Sequence, residues 1–158
     1  AGLVVEGVGL PGHFIVRVAS GECEFLVDPF HGGALLSQDD CQKRLDRVYG
    51  GRVRMELAML AVCSRRQILA RMLRNLKAIY AQAEDQPRTL AVVDLLLRVQ
   101  PESVEDLRDR GLLHASLDCY AAAVRDLEAY MEKAPGSPEA ESILERIAEL
   151  RRMAATLN

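Results

Sequence analysis

The chain has 158 residues, of which 49% are apolar and 27% charged, so it is long enough for one globular domain or two small ones. A net charge of −3, with no Lys/Arg stripe interleaved with aromatic residues, does not indicate a nucleic-acid-binding protein. No apolar run is long enough to cross a bilayer and no secretory signal is visible, so neither a membrane-spanning nor a secreted protein is expected.

The first predicted element is a strand at about residues 3–8, in the apolar run that begins at Leu3. Because this strand is already under way near Ala1, we expect an N-terminally truncated chain; removal of the initiator Met is the alternative. A sheet edge exposed in this way could pair with a second copy of the chain and form a homo-oligomer.

A β-hairpin is predicted next, with a tight turn at Ser20-Gly21. This turn places His13 directly opposite Asp28 on one face, while the apolar opposite face is expected to be buried. A carboxylate in that position can accept a hydrogen bond from the imidazole and fix its tautomer, as in a Cys-His-Asp site. A structural His-Asp pair in an ordinary sheet fits the same spacing.

Helices are predicted from the loop at residues 28–33 onwards. Ser37 is a candidate N-cap for a short helix that Gly50-Gly51 ends, and Ser64 is a candidate N-cap for a long one. Residues 52–62 carry no clear pattern. Further helices are expected at about residues 87–100, 103–116, 118–134 and 137–156.

The second half of the chain is repetitive. Pro101 and Pro135 are separated by the roughly 34-residue period of the tetratricopeptide repeat (TPR). Gly111 and Ala123 are small residues that allow two helices to approach closely, and Tyr120 matches the aromatic residue usual near the start of the second helix. The last helix has the charged outer face expected of a capping helix.

The four cysteines are scattered, without a CxxC motif or a Cys/His cluster. We therefore expect reduced thiols in a cytoplasmic protein, with no metal site and no cofactor. These residues are Cys23, Cys41, Cys63 and Cys119.

Several segments together resemble the SirB-type proteins, in which a transglutaminase-like domain precedes a TPR region. They read GLPGHF at 9–14, VDPFHGG at 27–33, MLRNLK at 72–77, RDRGLL at 108–113 and LDC at 117–119. The resemblance covers nearly the whole chain in the same order. It implies an α+β fold: the C-terminal β remnant of a transglutaminase-like (papain-like) domain over residues 1–62, followed by an all-α TPR solenoid over 63–158.

The resemblance also implies that His13 and Asp28 are the second and third members of a Cys-His-Asp triad. Its Cys would lie upstream of Ala1, and none of the four cysteines present replaces it; Cys23, for example, is predicted on the opposite face of the hairpin. Phe30 and His31 could line the cleft, although a surface position in an Asp-Pro turn is also open for His31.

Two functions remain open. Because the chain contains no candidate nucleophile, we expect a protein-interaction module that binds a protein or peptide through its TPR surface. Asn75, Arg108 and His114 are candidate contacts, each with a structural role as the alternative. The other function is that the intact protein is a Cys-His-Asp acyl-transfer enzyme, of the transglutaminase or thiol protease/amidase type.

Overall fold

The computed structural model describes residues 2–156, which form two compact units that meet in sequence at Ile68 and Leu69. Ala1, where the truncation is expected, lies outside the described residues. The first unit contains an antiparallel sheet in the order β1-β2-β3-β4. Its strands are β1 (Val4–Val8), β2 (Ile15–Ser20), β3 (Cys23–Asp28) and β4 (Ala34–Leu36). The last strand was not predicted, because three residues are too few to show an alternating pattern.

The hairpin between β2 and β3 is present, but its predicted register is wrong by two residues. Ser20 pairs with Cys23, so the turn is Gly21-Glu22. Gly21 has φ +60° and occupies the first turn position, where a type II′ turn requires glycine. Because side chains alternate with a period of two, a two-residue shift leaves every side chain on its expected face. His13 and Asp28 therefore remain on the same side, although His13 precedes β2.

The prediction of which hairpin face is buried was also wrong. Ile15 and Asp28 are fully buried, whereas Phe25 on the other face is 45% exposed and Cys23 is exposed. The reason is a layer of later elements that packs on the Ile15 side. The core of this unit contains Val8, Leu10, Ile15, Cys41 and Leu45, with Leu26, Leu36, Met55, Met59 and Leu60 packed against it.

The helix that covers this face is α1 (Gln38–Tyr49), and its ends are those predicted. Ser37 caps its first turn through a capping box with Asp40, and Gly50 ends it with φ +62°, the left-handed conformation that favours glycine. Cys41 and Leu45 lie one turn apart and face the sheet. Arg44 therefore lies on the same side of the helix, above the sheet. A short 3₁₀ helix, Leu57–Leu60, follows.

The rest of the chain is helical and agrees with the predicted helices to within a few residues. The helices are α2 (Arg65–Gln82), α3 (Gln86–Val99), α4 (Val104–Ser116), α5 (Tyr120–Lys133) and α6 (Ala140–Thr156). Two apolar clusters hold them, one of α2 with α3 and one of α4 to α6. Within the described range, none of the helices combines the length and apolar character needed to span a membrane.

Candidate functional site

Asp28, the last residue of β3, is the centre of the candidate site and is 0% exposed. Its Oδ2 accepts hydrogen bonds from His13 Nε2 at 2.9 Å and His31 Nδ1 at 2.8 Å. The same oxygen accepts from Arg44 Nε at 3.1 Å and Nη2 at 2.7 Å, while Oδ1 accepts from the Phe30 amide at 2.9 Å. Both carboxylate oxygens of this buried group are thus satisfied, as burial of a charge requires.

A turn at the start of the hairpin places His13. The His13 amide donates to the Leu10 carbonyl at 2.9 Å, and Gly12 has φ +76°. Pro11 and Gly12 therefore occupy the positions that a type II turn assigns to proline and glycine. The imidazole that follows is largely buried beside Asp28.

The contact between His13 and Asp28 defines which imidazole nitrogen is free. An ionised carboxylate only accepts hydrogen bonds, so Nε2 carries the proton that is donated to Asp28. In the neutral imidazole Nδ1 is then the basic nitrogen. This is the tautomer that a general base needs if its second nitrogen is held by a carboxylate.

The loop after β3 brings two further rings to His13. The Phe30 amide bonds the Asp28 side chain, and the Gly33 amide donates to the Asp28 carbonyl at 3.0 Å, so the chain folds back at once. The centroids of the Phe30 and His31 rings lie 5.7 and 5.8 Å from that of His13. Both side chains are exposed, by 71% for the Phe30 residue and 64% for the His31 side chain.

Burial and hydrogen bonding have opposite effects on the pKa of the Asp28 carboxyl. Burial raises its pKa, but the hydrogen bonds from Arg44, His13 and His31 together outweigh burial and hold the pKa well below the ordinary value of 3.8. Asp28 is therefore ionised at neutral pH and serves as a permanent acceptor for His13.

His13, Asp28 and His31 also have the spacing of a metal site within the part of the chain that the structure describes, with ligand atoms inside 4.8 Å of one another. The positive charge beside the carboxylate, and not the type of donor atom, opposes the binding of a divalent cation. Oδ2 already accepts two hydrogen bonds from the Arg44 guanidinium, whose positive charge would have to give way to the metal. The arrangement is instead that of a hydrogen-bonded carboxylate.

The cysteines of the chain lie in different settings. Cys41 is buried in the core under α1, and burial raises the pKa of its thiol, which disfavours the nucleophilic thiolate. Cys23 is exposed next to the hairpin turn, Cys63 adjoins Gly9, and Cys119 precedes α5. The described contacts of His13 are with Asp28, Phe30 and His31.

The three candidate partner-binding residues differ in availability. Asn75 is exposed on α2. Arg108 already bonds Asp109 and Glu139. His114 is largely buried, with Nε2 3.8 Å from Asp126 and Nδ1 buried without a partner.

Sequence reasoning missed Arg44. One signal was available: Arg44 lies three residues after Cys41 and next to Leu45, on the apolar side of an amphipathic helix. An arginine in that position predicts a buried acidic partner, but the identity of the partner depends on how α1 crosses the sheet.

Comparison with known proteins shows which protein families the successive parts of the chain resemble. The family model of the transglutaminase-like superfamily matches residues 1–74, and a tetratricopeptide repeat model matches residues 76–148. The chain is thus similar to a transglutaminase-like segment followed by a TPR region. These matches, together with the antiparallel sheet and the helices, confirm the predicted α+β fold class.

The relatives of the chain are bacterial proteins. A UPF0162 protein of Xylella fastidiosa is 31% identical over 152 residues, covering 94% of this chain and 54% of the relative. A UPF0162 protein of Vibrio cholerae is 27% identical over 150 residues (94% and 55%), and Protein SirB1 of Salmonella typhimurium is 28% identical over 138 (87% and 51%). The chain is therefore related to the SirB1 and UPF0162 proteins, as the sequence motifs indicated.

The chain spans about half the length of these relatives. No solved structure gives a significant match to it.

Proposed function

We propose that this chain is a protein-interaction module that binds an acidic amphipathic helix of a partner protein through α2. A row of exposed apolar side chains on α2, defined as the α2 row, carries the proposal. The α2 row contains Leu69 (46% exposed), Met72 (59%), Leu76 (39%) and Ile79 (57%).

The α2 row is distinct from the side of α2 that packs inside the TPR region. Ala70 and Leu73 are buried against Val92 and Leu96 of α3. The α2 row has the three- and four-residue spacing of a single helix face, turned away from that cluster by about 100°. Four large apolar side chains in one row form the kind of continuous patch that marks an interaction site.

The charge of α2 indicates the partner's chemistry. The helix contains no Asp or Glu and carries Arg65, Arg66, Arg71, Arg74 and Lys77. Lys77 is neutralised by Asp106 at 2.7 Å and Asp109 at 2.6 Å. Arg65 is exposed four residues before Leu69, on the same side of the helix as the α2 row. This charge, with the absence of any carboxylate on α2, favours a partner helix whose apolar side chains are flanked by carboxylates, and it disfavours a second copy of α2, because like charges would then face each other.

A labelled peptide tests this proposal on the full chain. The probe is a helical peptide with Leu at three- and four-residue spacing flanked by Glu, and a scrambled peptide of equal composition is the control. We expect fluorescence anisotropy to show salt-sensitive binding that the Met72→Glu/Ile79→Glu double variant weakens by at least about tenfold. The Leu144→Glu variant, at an exposed apolar residue of α6, is expected to bind like the wild type.

Three results would overturn the proposal. The first is equal binding of the scrambled peptide, and the second is unchanged binding by the double variant. The third is evidence that the α2 row binds something else: a second copy of the chain, detected as a dimer by sedimentation, or a membrane surface, detected as binding to anionic vesicles.

The His13–Asp28 contact supports a second candidate function, the histidine–carboxylate part of a Cys-His-Asp acyl-transfer site in the intact protein. A cysteine outside this chain would give its proton to His13 Nδ1, and the thiolate would attack an amide carbonyl. His13 would then protonate the leaving amine, leaving a thioester that an amine or water resolves. Asp28 would hold the imidazole and stabilise its positive charge.

Thiol labelling of the full-length protein tests this candidate. We expect one cysteine to react with iodoacetamide below pH 7 much faster than the others, and the His13→Gln variant to lose that fast phase. If every thiol reacts with the slow, pH-dependent rate of an ordinary cysteine, the site does not activate a nucleophile and the candidate fails.

A further inference from the structure

We propose that Arg44 is a positioning residue, whose guanidinium keeps the buried Asp28 carboxylate ionised and oriented so that it accepts the Nε2 proton of His13. A role of Arg44 in catalysis rests on the acyl-transfer function proposed above. The effect of Arg44 on the ionisation of Asp28 does not rest on that function, and it can be measured in this chain alone.

The geometry fixes the guanidinium on both sides. Nε and Nη2 donate to Asp28 Oδ2 at 3.1 and 2.7 Å, and Nη1 donates to the Asp40 carbonyl of α1 at 3.3 Å. The side chain is largely buried between helix and sheet. The guanidinium is planar and donates hydrogen bonds to acceptors on two separate elements, β3 and α1. It therefore defines the position of the carboxylate more closely than a single point charge would.

Asp28 needs such a partner because burial alone opposes its ionisation. Burial is the largest single effect on its carboxyl and raises its pKa, and the Arg44 hydrogen bonds are the largest opposing effect. Without Arg44, protonation of the carboxyl would become easier. Once protonated, the carboxyl no longer carries the negative charge that holds the Nε2 proton of His13.

His31 does not replace Arg44 in this role. It donates to the same oxygen, but its side chain is 64% exposed and follows the carboxylate by three residues on a glycine-rich loop. Arg44 instead carries a permanent charge and comes from a capped helix. Two other ionisable residues lie near this pair. The charge of Arg44 lowers and that of Asp28 raises the pKa of the Cys41 thiol, and the backbone carbonyl of Asp40 accepts a hydrogen bond from Arg44.

NMR titration of the isotope-labelled 158-residue chain tests the proposal. In the wild type we expect the Asp28 carboxyl carbon to show no protonation above about pH 3, and His13 to carry its neutral-state proton on Nε2. The Arg44→Gln variant is expected to raise the titration midpoint of the Asp28 carboxyl by about one pH unit or more, which is a tenfold change in proton affinity.

Two further variants separate positioning from general destabilisation. Arg44→Lys restores the charge without the two-nitrogen contact, so we expect an intermediate Asp28 midpoint. Arg47→Gln removes a cation from the exposed side of the same helix and is expected to leave the Asp28 midpoint and the His13 tautomer unchanged.

An unchanged Asp28 midpoint in folded Arg44→Gln protein would overturn the inference, as would an equal shift in Arg47→Gln. If Arg44→Gln does not fold, Arg44→Lys decides: a midpoint equal to the wild type contradicts the need for the two-nitrogen contact. A shifted midpoint together with uniformly slow thiols in the full-length protein would retain the role of Arg44 and reject only the acyl-transfer candidate.

Discussion

At the scale of single residues, the Asp28 carboxylate makes the stability of the fold depend on pH. It is buried, and its carboxylate accepts hydrogen bonds from three side chains and one backbone amide. Because these contacts favour the charged form, the pKa of Asp28 in the folded protein lies below its value of 3.8 in the unfolded chain. The unfolded state therefore binds a proton first as the pH falls, and the stabilisation is lost on the acid side.

Substitution of this residue should change both the stability and its pH dependence. We expect Asp28→Asn to lower the free energy of unfolding at pH 7 by about 3–5 kcal/mol, because Arg44 is left buried without its counter-charge. In the wild type the contribution of Asp28 is complete above about pH 5 and falls progressively below it. Urea unfolding between pH 7 and 3 measures both effects.

Asp39→Asn is the matched control, because Asp39 is exposed on the first turn of α1. It should change stability by less than about 0.5 kcal/mol. Parallel stability–pH curves for the wild type and Asp28→Asn would show that the Asp28 pKa is not lowered in the folded protein.

At the scale of secondary-structure elements, the packing of α4 against α5 depends on the absence of a side chain. A Cβ at Gly111 would lie 2.8 Å from both Cγ and Cδ2 of Leu127. Leu127 is fully buried in the cluster that also contains Ala123 and Tyr130. The two helices can approach this closely because Gly111 presents only backbone at the contact, as the repeat pattern predicted.

Gly111→Ala should therefore destabilise the TPR region. Overpacking costs about 1–3 kcal/mol, of which the better helix propensity of alanine offsets up to about 1 kcal/mol. Chemical denaturation followed by circular dichroism measures the difference. Gly136→Ala is the control, because no atom lies within 4 Å of its Cβ position; equal stability of the two variants would contradict the close contact.

At the scale of the whole molecule, the two compact units have separate apolar cores, and the transglutaminase-like and TPR family models match successive parts of the chain. The helix α2 belongs to both units, because it begins at Arg65 and the division follows Ile68. The finer boundary at residue 62 stays a prediction, as do the cytoplasmic location and self-association through β1, an outer strand of the sheet.

The four thiols report on the folded state of the whole chain. Cys23 and Cys119 are exposed, Cys63 is half-buried and Cys41 is buried. We expect a disulfide reagent to modify Cys23 and Cys119 quickly in the native protein, Cys63 more slowly, and Cys41 only when the first unit opens. Mass spectrometry of quenched samples identifies the modified residues, and early modification of Cys41 would contradict the core described for that unit.

Much of the fold followed from local signals. Ser37 and Gly50 were recognised as the ends of α1 because caps depend on neighbouring residues. The proline spacing indicated the TPR helices because a repeat period can be measured along the sequence alone. The hairpin register was wrong because two adjacent pairs, Ser20-Gly21 and Gly21-Glu22, could both form the turn. Only the second places glycine at the first turn position, which needs φ > 0 in both types of two-residue hairpin turn.

The sequence by itself determined that His13 and Asp28 share a face, since side chains alternate along strands and a two-residue register error preserves that alternation. Only the tertiary structure decided that this face is buried, that Arg44 meets Asp28, and that α2 exposes an apolar row. Each of these depends on which surfaces of distant elements meet, and no local pattern of residues encodes that choice.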